Sequence, residues 1–205
     1  MTTTTTLITS GTTFNGVLTV DEFVIVTGSN DTIFSTGTAP GDDTITLSGS
    51  ASNDTIYPFG GDTILGGNTG NDVIVPQGGI NHFNLGDASF TINDLSAGGA
   101  ETILAGNGNN NITAHADDSI SVGNGANTFL LLSHDTVFAG TGINQVNFQP
   151  GSIGAYISLG LGNNTAILTS TDTLIAGGGN NLIQAVSGAA HDVISAGDRA
   201  PKKAP

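Results

Sequence analysis

The sequence predicts an all-β fold: a parallel β-roll or β-solenoid with about 17 to 18 residues per coil and two short strands in each coil. Three observations predict it. An acidic-start phrase and a glycine-rich phrase alternate along most of the chain. A glycine or turn residue interrupts every few positions, and no 3.6-residue apolar period survives those interruptions, which removes helices.

The elements follow in order. Residues 1–28 begin with a threonine-rich run, Met1 to Thr13, that lacks the basic segment and apolar stretch of a secretory signal. Phe14 to Val26 contains two apolar runs, Val17-Leu18-Thr19-Val20 and Phe23-Val24-Ile25-Val26, and reads as a cap or as assembly strands. Residues 29–197 carry the repeat. Asp31, Asp43, Asp54, Asp62 and Asp72 open loose copies spaced by 12, 11, 8 and 10 residues. The copies then become regular. Glu101-Thr102-Ile103 leads into Gly106-Asn107-Gly108 and Asn110, Asp118-Ser119-Ile120 into Gly123-Asn124-Gly125 and Asn127, and Asp135-Thr136-Val137 into Gly140-Thr141-Gly142 and Asn144, with acidic starts 17 residues apart. Gly160-Leu161-Gly162 with Asn164, and Asp172-Thr173-Leu174 with Gly177-Gly178-Gly179 and Asn181, continue the phrase, and Asp192-Val193-Ile194 closes it. Residues 198–205 hold all three basic residues, Arg199, Lys202 and Lys203, and read as a flexible basic tail.

A unit this short cannot bury its own apolar side, so neighbouring units must stack around a shared core. About 11 coils at the strand spacing of about 4.8 Å give a rod on the order of 50 Å long. Alternation within Thr173-Leu174-Ile175-Ala176 points Leu174 and Ala176 inward. On that register Ile33, Ile45, Ile56, Ile64, Ile74, Ile103, Ile120 and Val137 stack as the main core ladder.

Composition narrows the function. With 17 acidic residues, 3 basic ones and a formal charge of -14, the chain is unsuited to binding nucleic acid or an anionic membrane, because both need clustered Lys and Arg. Its ionic partner is expected to be a cation. The absence of cysteine removes disulfides, thiolate metal sites and cysteine nucleophiles, and no run of 18 apolar residues is long enough for membrane insertion as a helix. There is no His-Glu-x-x-His, Gly-x-Ser-x-Gly or P-loop lysine, so the expectation is that the protein is not an enzyme.

The phrase Gly67-Asn68-Thr69-Gly70-Asn71-Asp72-Val73-Ile74-Val75 resembles the nonapeptide Gly-Gly-x-Gly-x-Asp-x-apolar-x of the RTX, or hemolysin-type calcium-binding, repeat family. The resemblance runs from Ser29 to Gly197. It implies calcium held between coils by glycine-turn carbonyls and the repeat's carboxylate, with Gly67, Thr69 and Asp72 as ligands. It also implies an extracellular or cell-surface location reached by type I secretion, although the Pro- and Lys-containing end is atypical of such export signals. The repeats are degenerate: Asn110, Asn127, Asn144, Asn164 and Asn181 stand where the family has its ligand Asp. These asparagines either form a hydrogen-bonded ladder from coil to coil or ligate through their carbonyls. The Asp row at 118, 135, 172 and 192 stacks like charges, so Asp118, Asp135 and Asp172 either cap turn amides or line a row of calcium ions.

Two further features are open at this level. Phe34, Tyr57, Leu65, Leu104, Phe138 and Ile175 fall at outward strand positions and could form one apolar contact stripe, unless a loop covers them or the register is off by one. His134 and His191 each precede a repeat Asp, while His82 and His115 lie elsewhere, and ordinary turn roles are expected for them. The leading expectation is a secreted structural solenoid that assembles with itself, head to tail or laterally, into a fibre, surface layer or biofilm matrix, with calcium as a candidate stabiliser. The alternative is a calcium-binding module of an adhesin, toxin or secreted enzyme. An ice-binding solenoid is a lesser one, since the pairs Asn107 with Asn109, Asn124 with Ala126 and Thr141 with Ile143 are irregular.

Overall fold

A computed structural model describes residues 4–17, 22–36, 43–95, 99–186 and 190–197. Among them there is no helix, and strands of three to five residues alternate with tight turns. Odd-numbered strands along the chain, from Thr4–Ile8 to Val193–Ala196, form one parallel sheet of eleven. Even-numbered strands, from Thr13–Val17 to Leu182–Ala185, form a second parallel sheet of ten. Each coil gives one strand to each sheet, and this is a β-solenoid.

The sequence builds this coil through alternation. Buried and less buried residues alternate along most strands, as in Ser119–Val122, where Ile120 and Val122 point inward. In the eleven-stranded sheet the register stacks Val24, Ile45, Ile64, Phe83, Ile103, Ile120, Val137, Ile157 and Leu174. In the ten-stranded sheet it stacks Ile33, Ile56, Ile74, Ile92, Ile112, Phe129, Val146 and Ala166. Both columns are buried and belong to one hydrophobic core.

This corrects the single core ladder expected from sequence. Ile33, Ile56 and Ile74 belong to one sheet, and Ile45, Ile64, Ile103, Ile120 and Val137 to the other. The reason is that, in the first half of the chain, both strands of a coil begin with Asp. Spacings of 8 to 12 residues there are half-coils, not short coils. Coils are also longer than the expected 17 to 18 residues, at roughly 19 on average. Asp31 bonds to Asp54, 23 residues on, whereas Asn110 bonds to Asn127, 17 on. The early strands Thr4–Ile8, Thr13–Val17 and Glu22–Val26, read as a cap or assembly segment, pair within the same two sheets. The basic tail, residues 198–205, lies outside the described residues.

Candidate functional site

Among the described residues, the position just before a strand is usually a buried polar one. At the edge leading into the eleven-stranded sheet these residues are Asp43, Asp62, Asn81, Glu101, Asp118, Asp135, Asp172 and the less buried Asp192. At the opposite edge they are Asp31, Asp54, Asn110, Asn127, Asn144, Asn164 and the less buried Asn181, with the buried Asp72 second in its strand, Asn71–Ile74. The solenoid therefore carries two polar ladders inside an apolar core.

The bonding explains why short carboxylates and amides occupy these places. The Asp118 amide donates to Oδ1 of Asp135 at 3.0 Å, and the Glu101 amide to Oδ1 of Asp118 at 2.8 Å. The same link joins Asp43 to Asp62, Asp31 to Asp54, Asp54 to Asp72 and Asp172 to Asp192. The second oxygen closes the residue's own turn. Oδ2 of Asp62, Asp118, Asp135 and Asp172 accepts the amide of Phe59, His115, Leu132 and Thr169 respectively, each three residues earlier. A strand-leading Asp thus satisfies one amide of the preceding coil and one of its own turn, which a buried backbone donor requires.

On the other edge, asparagine adds a donor. Nδ2 of Asn110 donates to Oδ1 of Asn127, Asn127 to Asn144, Asn144 to Asn164 and Asn164 to Asn181, at 3.0 to 3.1 Å. The amides of Asn110, Asn144 and Asn164 donate to the same oxygens as their side chains do. We expect Asn127→Ala to remove the partner of the Asn110 backbone amide and the donor to the Asn144 side-chain oxygen, and to cost about 2 kcal/mol. The check is a lower urea midpoint with an unchanged slope.

A third, exposed ladder explains the glycine-rich phrase. The Asn107 amide donates to Asp87, that of Asn124 to Asn107, and that of Thr141 to Asn124, all at side-chain oxygens. Asn109 likewise accepts the Ala126 amide. The outward asparagines that suggested an ice-facing row are thus engaged in holding successive coils together.

Charge is concentrated at the buried edges. Burial is the chief cause that pushes Asp54 and Asp62 up to about 6 and Asp135 up to about 7. It raises Asp72 as well. Glu101 and Asp118 are raised by burial and then by their neighbours' negative charge. Asp94, Glu101 and Asp118, all buried, offer carboxylate oxygens within 4.8 Å of one another. Asp94 follows the strand Ser89–Asn93, and Glu101 precedes Thr102–Ala105. Sequence reasoning passed over Asp94 because it ends a strand where the repeat's other acids begin one. It took Glu101 only as the start of a repeat, in the place of an Asp.

The remaining sequence candidates divide. Gly67, Thr69 and Asp72 lie near one turn, where the Gly67 carbonyl accepts the Ala88 amide and the Thr69 hydroxyl donates to the Ala51 carbonyl. Oδ1 of Asp72 accepts the Asp54 amide, and its Oδ2 is buried with no hydrogen-bond partner. Asp118, Asp135 and Asp172 are on the opposite edge. The expected apolar stripe is not one surface. Phe34 and Tyr57 stack at 4.5 Å on the ten-stranded sheet, whereas Leu65, Leu104, Phe138 and Ile175 lie on the eleven-stranded sheet. There the register interleaves them with Asn84, Ser121 and Ser158, because regular repeats alternate apolar and polar residues at this position. His134 and His191 occupy left-handed turn positions with φ of 62° and 64°, in line with Asp117 and Thr171.

Comparison with family models, with curated proteins and with solved structures finds no match to this chain.

Proposed function

We propose that the protein is a structural β-solenoid that assembles with itself, end to end, into an extracellular fibre, surface layer or matrix, with calcium as its stabilising ion. The observation that carries this reading is the open core at the last described coil. Ile194 is 47% exposed, whereas Leu174, one strand earlier in the same column, is fully buried, and Ile183, in register with the buried Ala166, is itself only partly buried. Val193–Ala196 and Leu182–Ala185 are the final strands of the two sheets, and one side of each is without a strand partner among the described residues. A second copy offers matching strands, Thr4–Ile8 and Thr13–Val17, at the opposite ends of the same sheets. The internal repeat gives the geometry of the junction: one more parallel strand per sheet, with apolar residues in column. Export by type I secretion is the route the repeat resemblance implies.

Negative-stain electron microscopy in EDTA and in millimolar calcium tests this. Filaments whose width matches one solenoid support the reading. Isolated short rods in both conditions would sink it. A second reading, a calcium-binding module of a larger secreted protein, draws on the buried carboxylates, and circular dichroism showing a coil that folds only with calcium would favour it.

A further inference from the structure

We infer that Asp94, Glu101 and Asp118 form a dehydrated site for one hard divalent cation of the calcium class, built into the edge of the solenoid. The three carboxylates converge within 4.8 Å, and each residue is about 1% exposed. A convergence of acids is not by itself a site, but Glu101 adds a separate observation. Its Oε1 accepts Nδ2 of Asn81 at 3.2 Å, while its Oε2 is buried and receives a hydrogen bond from no donor. Such an oxygen loses its hydration with nothing in return, so native structures rarely leave one without a partner.

Among the described residues there is no Lys or Arg to neutralise the group. All three Lys and Arg residues of the chain lie at 199, 202 and 203. Asp118 is fixed in place, with Oδ1 held by the Glu101 amide and Oδ2 by the His115 amide, and each of its oxygens keeps a further lone pair. Asp135 lies in the next coil and Asn81 in the previous one, so the cluster sits within a continuous polar ladder. Three converging carboxylates suit calcium, which accepts oxygens in irregular geometry. They do not suit magnesium, which keeps its waters and demands an octahedron. The site differs from the glycine-turn arrangement the repeat resemblance implies, because its carboxylates come from the end of one strand, the start of the next and the following coil.

This deepens the calcium part of the proposed function and is independent of assembly. Dilute full-length chain, stripped with EDTA and dialysed, is titrated with calcium chloride by calorimetry. Wild type is expected to bind one equivalent of calcium more than Glu101→Gln, which preserves shape and removes one charge. An equal stoichiometry, or no binding to wild type at millimolar calcium, overturns the site. If Glu101→Gln fails to fold, Asp94→Asn takes its place. Short rods in the microscope together with the lost equivalent would refute assembly and leave the cation site standing.

Discussion

Between pH 5 and pH 8, without divalent cations, the folded protein is expected to lose on the order of 5 kcal/mol of stability, the reverse of ordinary acid denaturation. Asp62 moves from an ordinary 3.8 to about 6 and Asp135 to about 7, both chiefly through burial. Because their folded-state values lie above the unfolded ones, the native chain binds more protons than the unfolded chain throughout that window, so stability falls as pH rises. The stabilisation is complete below about pH 4, fades through pH 6 to 7, and is gone above. Over that window Asp62 accounts for about 1.4 kcal/mol and Asp135 for about 2.6 kcal/mol, and the neighbouring carboxylates of the row add to this less than additively. Urea midpoints measured in EDTA at pH 5, 6.5 and 8 check this, and a midpoint that rises with pH would contradict it. Calcium should recover part of the loss at pH 8.

Gly142→Ala is expected to cost about 3 to 5 kcal/mol, the largest effect of any single substitution considered. A Cβ on Gly142 would lie 1.9 Å from the backbone carbonyl oxygen of Gly125, and φ there is +154°. The obstacle is the main chain of the adjacent coil, which cannot turn aside as a side chain can. Gly125, Gly162 and Gly179 meet the carbonyl of the coil before in the same way. Gly151→Ala is the control: it also has a positive φ, but nothing lies within 4 Å, so the cost should be only about 1 kcal/mol. Thermal or urea unfolding of the two variants decides the matter, and equal losses would mean that conformation, not inter-coil contact, sets the glycine pattern.

The solenoid itself was legible because its two causes are local: β-branched residues in alternation, and glycine or asparagine at each turn. Leu174 and Ala176 point inward as the alternation predicts. The assignment of strands to sheets was not legible in the first half, where Asp-Thr-Ile occurs in both halves of a coil and nothing nearby distinguishes Ile56 from Ile64. The apolar stripe failed for the same reason, since Tyr57 and Leu65 follow near-identical phrases. Coil length was underestimated because the regular copies after Glu101 are the shortest. The Asp94 cluster brings two acids seven positions apart against a third from the next coil, and no linear spacing announces that.

The hydrogen bonds between coils reach only the adjacent coil, as in the Asn110–Asn127–Asn144 series. Contact order is therefore low for so long a parallel sheet, and a newly made coil can settle on the finished one before it without waiting for distant sequence. The molecule behaves as a ruler: deleting or duplicating one 17-residue coil between Glu101 and Asp135 should shorten or lengthen the rod by about 4.8 Å while leaving every remaining interface as it was.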